Sequence, residues 1–177
     1  MAIESIYWRE EISRIAKTLK PKRRPLNWSE RLVCTTEREI IVGFFILRKL
    51  VELKKVTDKT KNLMLEIQGC KPKTNVHFSN RFELEEYYDL NGENSYQRSA
   101  WYLSNQFIHS YTSLLARDQS RNWSEVFIFS DYDRNKFVWR VPISEIIRAF
   151  ETCNEDWPHE IHMKYNDGKS DWDVKVN

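Results

Sequence analysis

Glycine and proline are scarce in this chain of 177 residues, which contains 4 Gly and 5 Pro. So few turn-forming residues argue against a loop-rich β-sandwich. The G-x-G-x-x-G and P-loop patterns are missing, and a backbone cradle for phosphates would need more glycine. The H-E-x-x-H and G-x-S-x-G patterns are missing as well. The sequence therefore carries no complete catalytic motif, and we expect no cofactor.

Cysteine is also rare, and the three cysteines, Cys34, Cys70 and Cys153, are widely spaced without a C-x-x-C pair. An odd, dispersed set predicts reduced thiols rather than a disulfide framework or a zinc site. The N-terminal segment has no apolar core typical of a signal peptide. The longest apolar run, Ile40 to Leu47, is much shorter than the ~20 residues that cross a bilayer. We therefore expect a cytoplasmic protein with no membrane partner.

Charge is distributed unevenly, although the formal net charge is only +2. Residues 1–60 contain 14 Lys and Arg against 8 Asp and Glu, whereas residues 121–177 contain 8 against 11. An excess of positive charge in the N-terminal third of the chain can steer an anionic partner, but asymmetric surface charge is also common without functional consequence. The apolar content of 41% is sufficient for a packed core, and we expect a single domain over residues 1–177.

Apolar residues recur at helical spacing in three segments, residues 3–19, 27–56 and 94–116. The second segment is apolar around most of its circumference, which predicts a long central core helix. Short strands are expected between 63 and 78, where Leu63, Leu65 and Ile67 alternate with polar residues and "NVHF" could pair with them. Residues 1–116 are thus predicted to be mainly helical.

The apolar period changes from 3.6 to 2 in residues 124–177. "EVFIFS" and "FVWRVPI" predict a hairpin with both faces covered, followed by a short helix after Ser144. Asp167-Gly168 predicts a second hairpin with a two-residue turn. That turn would place Lys164 opposite Asp171 and His162 opposite Asp173, so we interpret these residues as cross-strand charge pairs and expect no metal site. The predicted fold class is α+β, with about three principal helices followed by a small antiparallel sheet of two C-terminal hairpins.

A basic segment, residues 17–24, connects the first two predicted helices. Lys20, Lys22, Arg23 and Arg24 could contact a phosphate backbone, and Trp28 could stack on a base. The alternative is a solvated linker whose cations lie favourably at a helix C-terminus. No RRM, KH, zinc-finger or helix-turn-helix signature accompanies the segment.

The loop of the first C-terminal hairpin carries polar residues at calcium-ligand spacing. Asp131, Asp133 and Asn135 match the first three EF-hand ligands, but Lys136 replaces the loop glycine and Pro142 replaces the bidentate glutamate. We therefore favour a polar hairpin loop that contacts a partner. The candidate residues of this interaction loop are Asp131, Asp133, Arg134 and Asn135.

The stretch "SNQFIH" places Asn105 and His109 four residues apart, so on a helix they share a face. This pattern in an apolar helix resembles the motif of HEPN domains, helical bundles often found as RNases in bacterial toxin and antiviral systems. Ser104 stands where that motif has its arginine. The resemblance implies a degenerate RNase in which His109 handles the proton of an attacking 2′-hydroxyl. The structural alternative is a partly buried His109 bonded to Asn105 or to a backbone carbonyl.

These patterns favour a non-enzymatic protein-interaction or adaptor module that binds a protein partner or self-associates. Four tryptophans could anchor such an interface: Trp8, Trp28, Trp123 and Trp157. The alternatives are a nucleic-acid-binding protein that uses residues 17–24 and a degenerate HEPN-like component centred on His109.

Overall fold

A computed structural model describes residues 5–77, 84–92, 94–130 and 133–176. Within these ranges the chain forms six helices and seven strands. The helices are α1 (Ser5–Leu19), α2 (Glu30–Glu52), α3 (Asp58–Lys61), α4 (Leu84–Tyr87), α5 (Ala100–Ile108) and α6 (Ile143–Glu155). The strands are β1 (Met64–Cys70), β2 (Asn94–Ser99), β3 (Ser110–Arg117), β4 (Trp123–Ser130), β5 (Val138–Pro142), β6 (Ile161–Asn166) and β7 (Asp171–Val176).

The main sheet has five antiparallel strands in the order β2-β1-β5-β4-β3, and β6 and β7 form a separate two-stranded sheet. The α+β class is confirmed. The finer prediction of about three principal helices, with a sheet built only from two C-terminal hairpins, is wrong. Three strands of the main sheet come from the first two thirds of the chain, and only one predicted hairpin, β4–β5, joins them.

The predicted helix over 94–116 is divided into β2, α5 and β3. The Ser99 hydroxyl accepts a hydrogen bond from the Tyr102 N–H at 3.1 Å, which caps α5 at its start. Beyond α5, Leu114 pairs with Phe127 and Leu115 with Val126 across β3 and β4. Both faces of this sheet are covered, so apolar residues occur at consecutive positions and imitate helical spacing.

The region between α3 and β2 is also rearranged relative to expectation. The predicted strand near 63–70 is present as β1, but it pairs with β2 and β5 rather than with "NVHF". Residues 75–77 are not in a strand, and Phe78 lies outside the described residues.

The main core lies between the helices and one face of the five-stranded sheet. α2 is the long central helix that was predicted, and Phe44 is fully buried in it. The Phe44 ring stacks on Phe107 at 4.1 Å between centroids and meets the edge of Phe150 at 5.0 Å. A Cβ at Gly43 would overlap the Phe150 ring, so this glycine permits the close approach of α2 and α6.

A second, smaller core covers part of the opposite face. Successive residues of β4 divide between the two cores, with Val126 in the first and Phe127 in the second. Tyr88 and Val76 close the second core from the segment that follows β1. Both faces of the β4–β5 hairpin are therefore buried, as predicted.

Arg9 is an arginine of α1 that is only 2% exposed. Its Nη1 donates to the carbonyls of Cys153 and Asn154, each at 2.8 Å. Its Nη2 donates to the main-chain carbonyls of Lys55 at 2.5 Å and of Asp156 at 2.8 Å. These carbonyls follow or end α2 and α6, where the negative ends of two helix dipoles favour a cation. The guanidinium also lies 3.9 Å from the centroid of the Trp157 ring.

Asp156 connects the same junction to α3. Its Oδ2 accepts hydrogen bonds from the backbone N–H and hydroxyl groups of Thr57 and Thr60, at 2.5 to 3.2 Å. A carboxylate with several donors is well compensated in a buried position. Arg9 and Asp156 together attach α1, α3 and the ends of α2 and α6 to one another.

The C-terminal hairpin is present, but its predicted register is wrong. Lys164 faces Asp173 and Tyr165 faces Trp172, so the strands are offset by two residues from the expected pairing. The connection has four residues, 167–170, and Ser170 rather than Gly168 adopts a positive φ, of 50°. A longer loop of this kind replaces the two-residue turn that the Asp-Gly pair favours.

Replacing Arg9 tests how far the fold depends on this junction. We expect Arg9→Ala to lower the free energy of unfolding by at least about 3 kcal/mol, because several carbonyl acceptors lose a charge-assisted bond. Arg9→Lys keeps the charge without the planar fork and should be intermediate. Urea unfolding followed by circular dichroism measures both. The control is Arg14→Ala on the same helix, whose exposed ion pairs contribute less than ~1 kcal/mol. Equal losses for Arg9→Ala and Arg14→Ala would contradict this role.

Candidate functional site

His109 lies at the C-terminal end of α5, not inside a helix. Its side chain is exposed, and its backbone N–H donates to the Asn105 carbonyl at 3.0 Å. Among the described residues, none forms a hydrogen bond or an ion pair with the imidazole. The link between Asn105 and His109 is therefore a main-chain bond of the helix end.

The surroundings of this motif differ from the setting that the HEPN resemblance implies. Ser104, at the position of the motif's arginine, is fully buried and donates to the Trp101 carbonyl at 2.8 Å. The helix that carries the motif, α5, has 9 residues. Along the chain it connects β2 and β3 of the main sheet, whereas the HEPN motif belongs to a helical bundle.

Asp133, from the predicted interaction loop, is a buried anchor. Its carboxylate accepts hydrogen bonds from the Tyr102 hydroxyl and from Trp139 Nε1, the latter at 3.0 Å. Lys136 Nζ lies 3.6 Å from the other carboxylate oxygen. Burial and the hydrogen bond to Asp133 raise the pKa of Tyr102. Asp131 lies outside the described residues.

The remaining loop residues attach the β4–β5 connection to the second core. The Arg134 carbonyl accepts a hydrogen bond from the Tyr88 hydroxyl at 2.8 Å. Asn135 Oδ1 accepts one from the Val76 N–H at 2.9 Å. Asp133, Arg134 and Asn135 therefore hold the loop against the body of the protein.

Beside this loop, the Arg98 guanidinium lies among three aromatic rings. The sequence did not indicate this cluster. Its guanidinium lies 5.0 Å from the Tyr96 ring centroid, 5.5 Å from Tyr102 and 5.2 Å from Trp139. These are cation–π distances. Only the sheet brings β2 and β5 together, so no local spacing could have revealed the cluster.

The basic linker between α1 and α2 lies beside the β3–β4 turn. Lys22 and Asn122 exchange two hydrogen bonds, at 2.8 and 3.2 Å. Arg117 Nη1 donates to the Leu26 carbonyl at 3.0 Å. These contacts form a cleft, here called the basic cleft. Its cationic lining residues are Lys20, Lys22, Arg117 and Arg121, and the exposed Arg23 and Arg24 lie in the adjoining linker.

Most cations of the basic cleft lack an internal counterion. Lys20 pairs with Glu151 at 2.6 Å. Glu39 also lines the cleft, but its carboxylate bonds to Arg14 and Thr18. No described residue forms an ion pair with the other three cations of the cleft, Lys22, Arg117 and Arg121, or with Arg23 and Arg24 in the adjoining linker.

Arg117 is held rigidly within the cleft. Its guanidinium lies 4.2 Å from the centroid of the Trp123 ring, and its Nε is buried without a hydrogen-bond partner among the described residues. Trp28, two residues before α2, is 65% exposed. Arg117 and Arg121 were not predicted as binding residues, because about a hundred positions separate them from the linker.

The C-terminal hairpin exposes an apolar surface, here called the hairpin face. Its four large exposed side chains are Ile161 (60%), Met163 (58%), Tyr165 (47%) and Trp172 (52%). Val174 and Val176 complete the face, which carries no charged side chain because the charged residues alternate to the other side. Trp157, which is 49% exposed, and Leu53 form the opposite wall of a groove beside it. Trp8 and Trp123, by contrast, pack against the main core.

The described part of the chain contains no helix long and apolar enough to cross a membrane. Within the same ranges, no group of three or more His, Cys, Asp or Glu side chains is arranged to hold a metal ion. No family model, curated protein or solved structure matches this chain. Its function is therefore argued from the two surfaces just described.

Asp133 and His109 are expected to contribute differently to the free energy of unfolding, because Asp133 is buried and His109 is exposed. We expect Asp133→Ala to lower the free energy of unfolding by about 3 kcal/mol, because two buried donors lose their acceptor. His109→Ala should change it by less than ~0.5 kcal/mol. Thermal and urea unfolding of the two variants measure the difference. A larger loss for His109→Ala than for Asp133→Ala would contradict this assignment.

The buried Tyr88 predicts a specific alkaline sensitivity. Burial raises the pKa of Tyr88 to about 12, compared with ~10 in an unfolded chain. The unfolded chain therefore releases this proton first, and stability is fully present below about pH 10 and lost as the pH rises toward about 12. The loss should be on the order of 2 kcal/mol. Urea unfolding across this pH range should show a shallower decline for Tyr88→Phe, and an unchanged slope would contradict the assignment.

Proposed function

We propose that this chain is a non-enzymatic protein-interaction module that self-associates through its C-terminal hairpin. The observation that carries the proposal is the hairpin face, a charge-free surface of large, half-exposed apolar side chains. Contiguous apolar surface of this kind is typical of protein–protein contact sites.

The hairpin has little support from the rest of the chain. It forms its own two-stranded sheet, and of its face only Val176 is buried. A two-stranded hairpin is marginally stable in water unless its apolar side packs on something. Covering apolar area contributes roughly 25 cal/mol per Å², so a partner on the hairpin face would stabilise the hairpin as well as the complex.

A second copy of the chain fits this surface. A twofold axis brings identical patches together, so a charge near the centre of the patch would approach its own copy. The hairpin face avoids that repulsion because its charged neighbours, including Lys164 and Asp173, lie on the opposite side. The groove beside it, whose lining combines Leu53 and Trp157 with Lys54 and Lys55, offers further apolar area next to two cations. Together these surfaces provide the apolar centre that an interface of about 800 Å² per partner requires.

The HEPN-like alternative receives no comparable support. His109 is exposed at a helix end and Ser104 is buried in the core. The described surfaces therefore support an interaction module best, and the basic cleft is a separate surface.

Sedimentation equilibrium tests the proposal directly. We expect the wild-type chain to dimerise with a micromolar Kd, and Trp172→Ser to weaken the dimer at least about tenfold, as expected for a central aromatic anchor. The matched control is Trp28→Ser, which removes another exposed tryptophan, outside the hairpin face. Circular dichroism confirms that each variant folds.

Two results would overturn the proposal. One is a wild-type chain that stays monomeric up to about 100 µM, a concentration at which a micromolar interaction is nearly saturated. The other is equal weakening of the dimer by Trp172→Ser and Trp28→Ser, since that would remove the hairpin face from the interface.

A further inference from the structure

We infer that the basic cleft binds a single-stranded nucleic acid, with its cations on successive phosphates and Trp28 as a stacking platform for a base. This site is separate from the hairpin face and does not depend on self-association. The inference rests on the charge of the cleft, on the side chains that are held in place there, and on an exposed aromatic ring, Trp28, in the same α1–α2 linker.

The charge of the cleft is available to a ligand. Lys22, Arg23 and Arg24 come from the linker, whereas Arg117 and Arg121 come from the end of β3 and its turn. None of the five forms an ion pair with a described residue. Asp118 is the acidic residue of that turn, and its carboxylate already accepts bonds from the Ser120 hydroxyl and the Asn122 N–H.

The cleft is preorganised by contacts between its two walls. The main chain of Lys22 and the side chain of Asn122 exchange two hydrogen bonds, and Arg121 Nη1 donates to Asn27 Oδ1 at 3.3 Å. Arg117 is fixed between the Leu26 carbonyl and the Trp123 ring. The guanidinium groups of Arg117 and Arg121 are therefore held in place and lose less entropy when they bind, so more of their electrostatic attraction contributes to affinity.

Arg117 suits a phosphate ligand by its shape as well as by its charge. Its planar guanidinium matches phosphate geometry, and its Nη1 is already oriented by a hydrogen bond to the Leu26 carbonyl.

Single-stranded nucleic acid fits these features better than other anions. The cations are distributed along two segments instead of converging on one point, which suits a repeating phosphate chain. Single-strand binders combine such a cationic groove with aromatic side chains that stack on bases, and Trp28 is 65% exposed. An acidic peptide would use the charge of the cleft but has no planar base for Trp28.

Fluorescence anisotropy with labelled oligo-uridylate and oligo-thymidylate tests the inference in the full chain. We expect binding whose logarithmic affinity falls with the logarithm of salt concentration with a slope of about −3, since each single-strand phosphate contact contributes roughly −0.7. Lys22→Ala/Arg23→Ala/Arg24→Ala should make the slope shallower and weaken binding at least about tenfold at low salt. Arg121→Ala, on the other wall, should weaken it in the same direction.

Matched variants separate the cleft from overall charge and from folding. Arg38→Ala/Lys59→Ala/Lys164→Ala removes the same charge from exposed positions outside the cleft and should leave the affinity close to that of the wild type. Trp28→Ser should weaken binding roughly tenfold by loss of stacking, and Trp28→Phe should restore most of it. The Trp172→Ser variant should bind the oligonucleotides with wild-type affinity, so loss of the dimer and loss of nucleic-acid binding are distinguishable.

Several results would overturn the inference. One is that the wild-type chain does not bind the oligonucleotides at about 100 µM protein in low salt. Another is that the cleft triple variant and its charge-matched control lose the same amount of affinity. A third is that Trp28→Ser binds the oligonucleotides as tightly as the wild type. Equal or tighter binding to poly-glutamate, or to vesicles that contain phosphatidylserine, would assign the cleft to a different anionic partner and would also overturn it.

Discussion

Arg9 places a positive charge in the interior, and four main-chain carbonyls compensate for it. These acceptors belong to chain segments near residues 55 and 155, so one side chain joins parts of the protein that are far apart in sequence. The five-stranded sheet packs on helices whose relative positions this junction sets. A guanidinium with four directed bonds fixes the orientation of these segments more narrowly than apolar contacts alone. The groove beside the hairpin face borders this junction at Trp157.

Much of the fold could be predicted where local pattern and tertiary environment agree. α1 and α2 have one apolar side against the core, and β4 and β5 flank a polar loop, so periodicity located them. β3 was taken for part of a helix because Leu114 and Leu115 are partly buried on opposite faces of the sheet, where alternation disappears and apolar runs resemble a helix. The hairpin register failed for another reason. Gly168 suggested the turn, but Ser170 takes the left-handed conformation.

The candidate sites show a similar division. The charge of Lys22, Arg23 and Arg24 was visible in the sequence, but Arg117 and Arg121 join them only through folding. Asp133 was predicted to belong to a loop that contacts a partner, because its internal partners, Tyr102 and Trp139, lie on other elements. Long-range partners therefore decide whether a polar residue is an anchor or a ligand contact. A dimer built on the hairpin face would carry two basic clefts, so one strand that reaches both is held more tightly than by either alone.

Trp157 is where the interior junction meets the outer surface. One side of its ring covers the Arg9 guanidinium, and the residue also forms a wall of the groove beside the hairpin face. A partner in that groove would restrict the indole and so strengthen its contact with the buried cation. If the hairpin face forms the proposed dimer, docking and the stability of the α1–α2–α6 junction are thermodynamically linked, and that stability would rise with protein concentration.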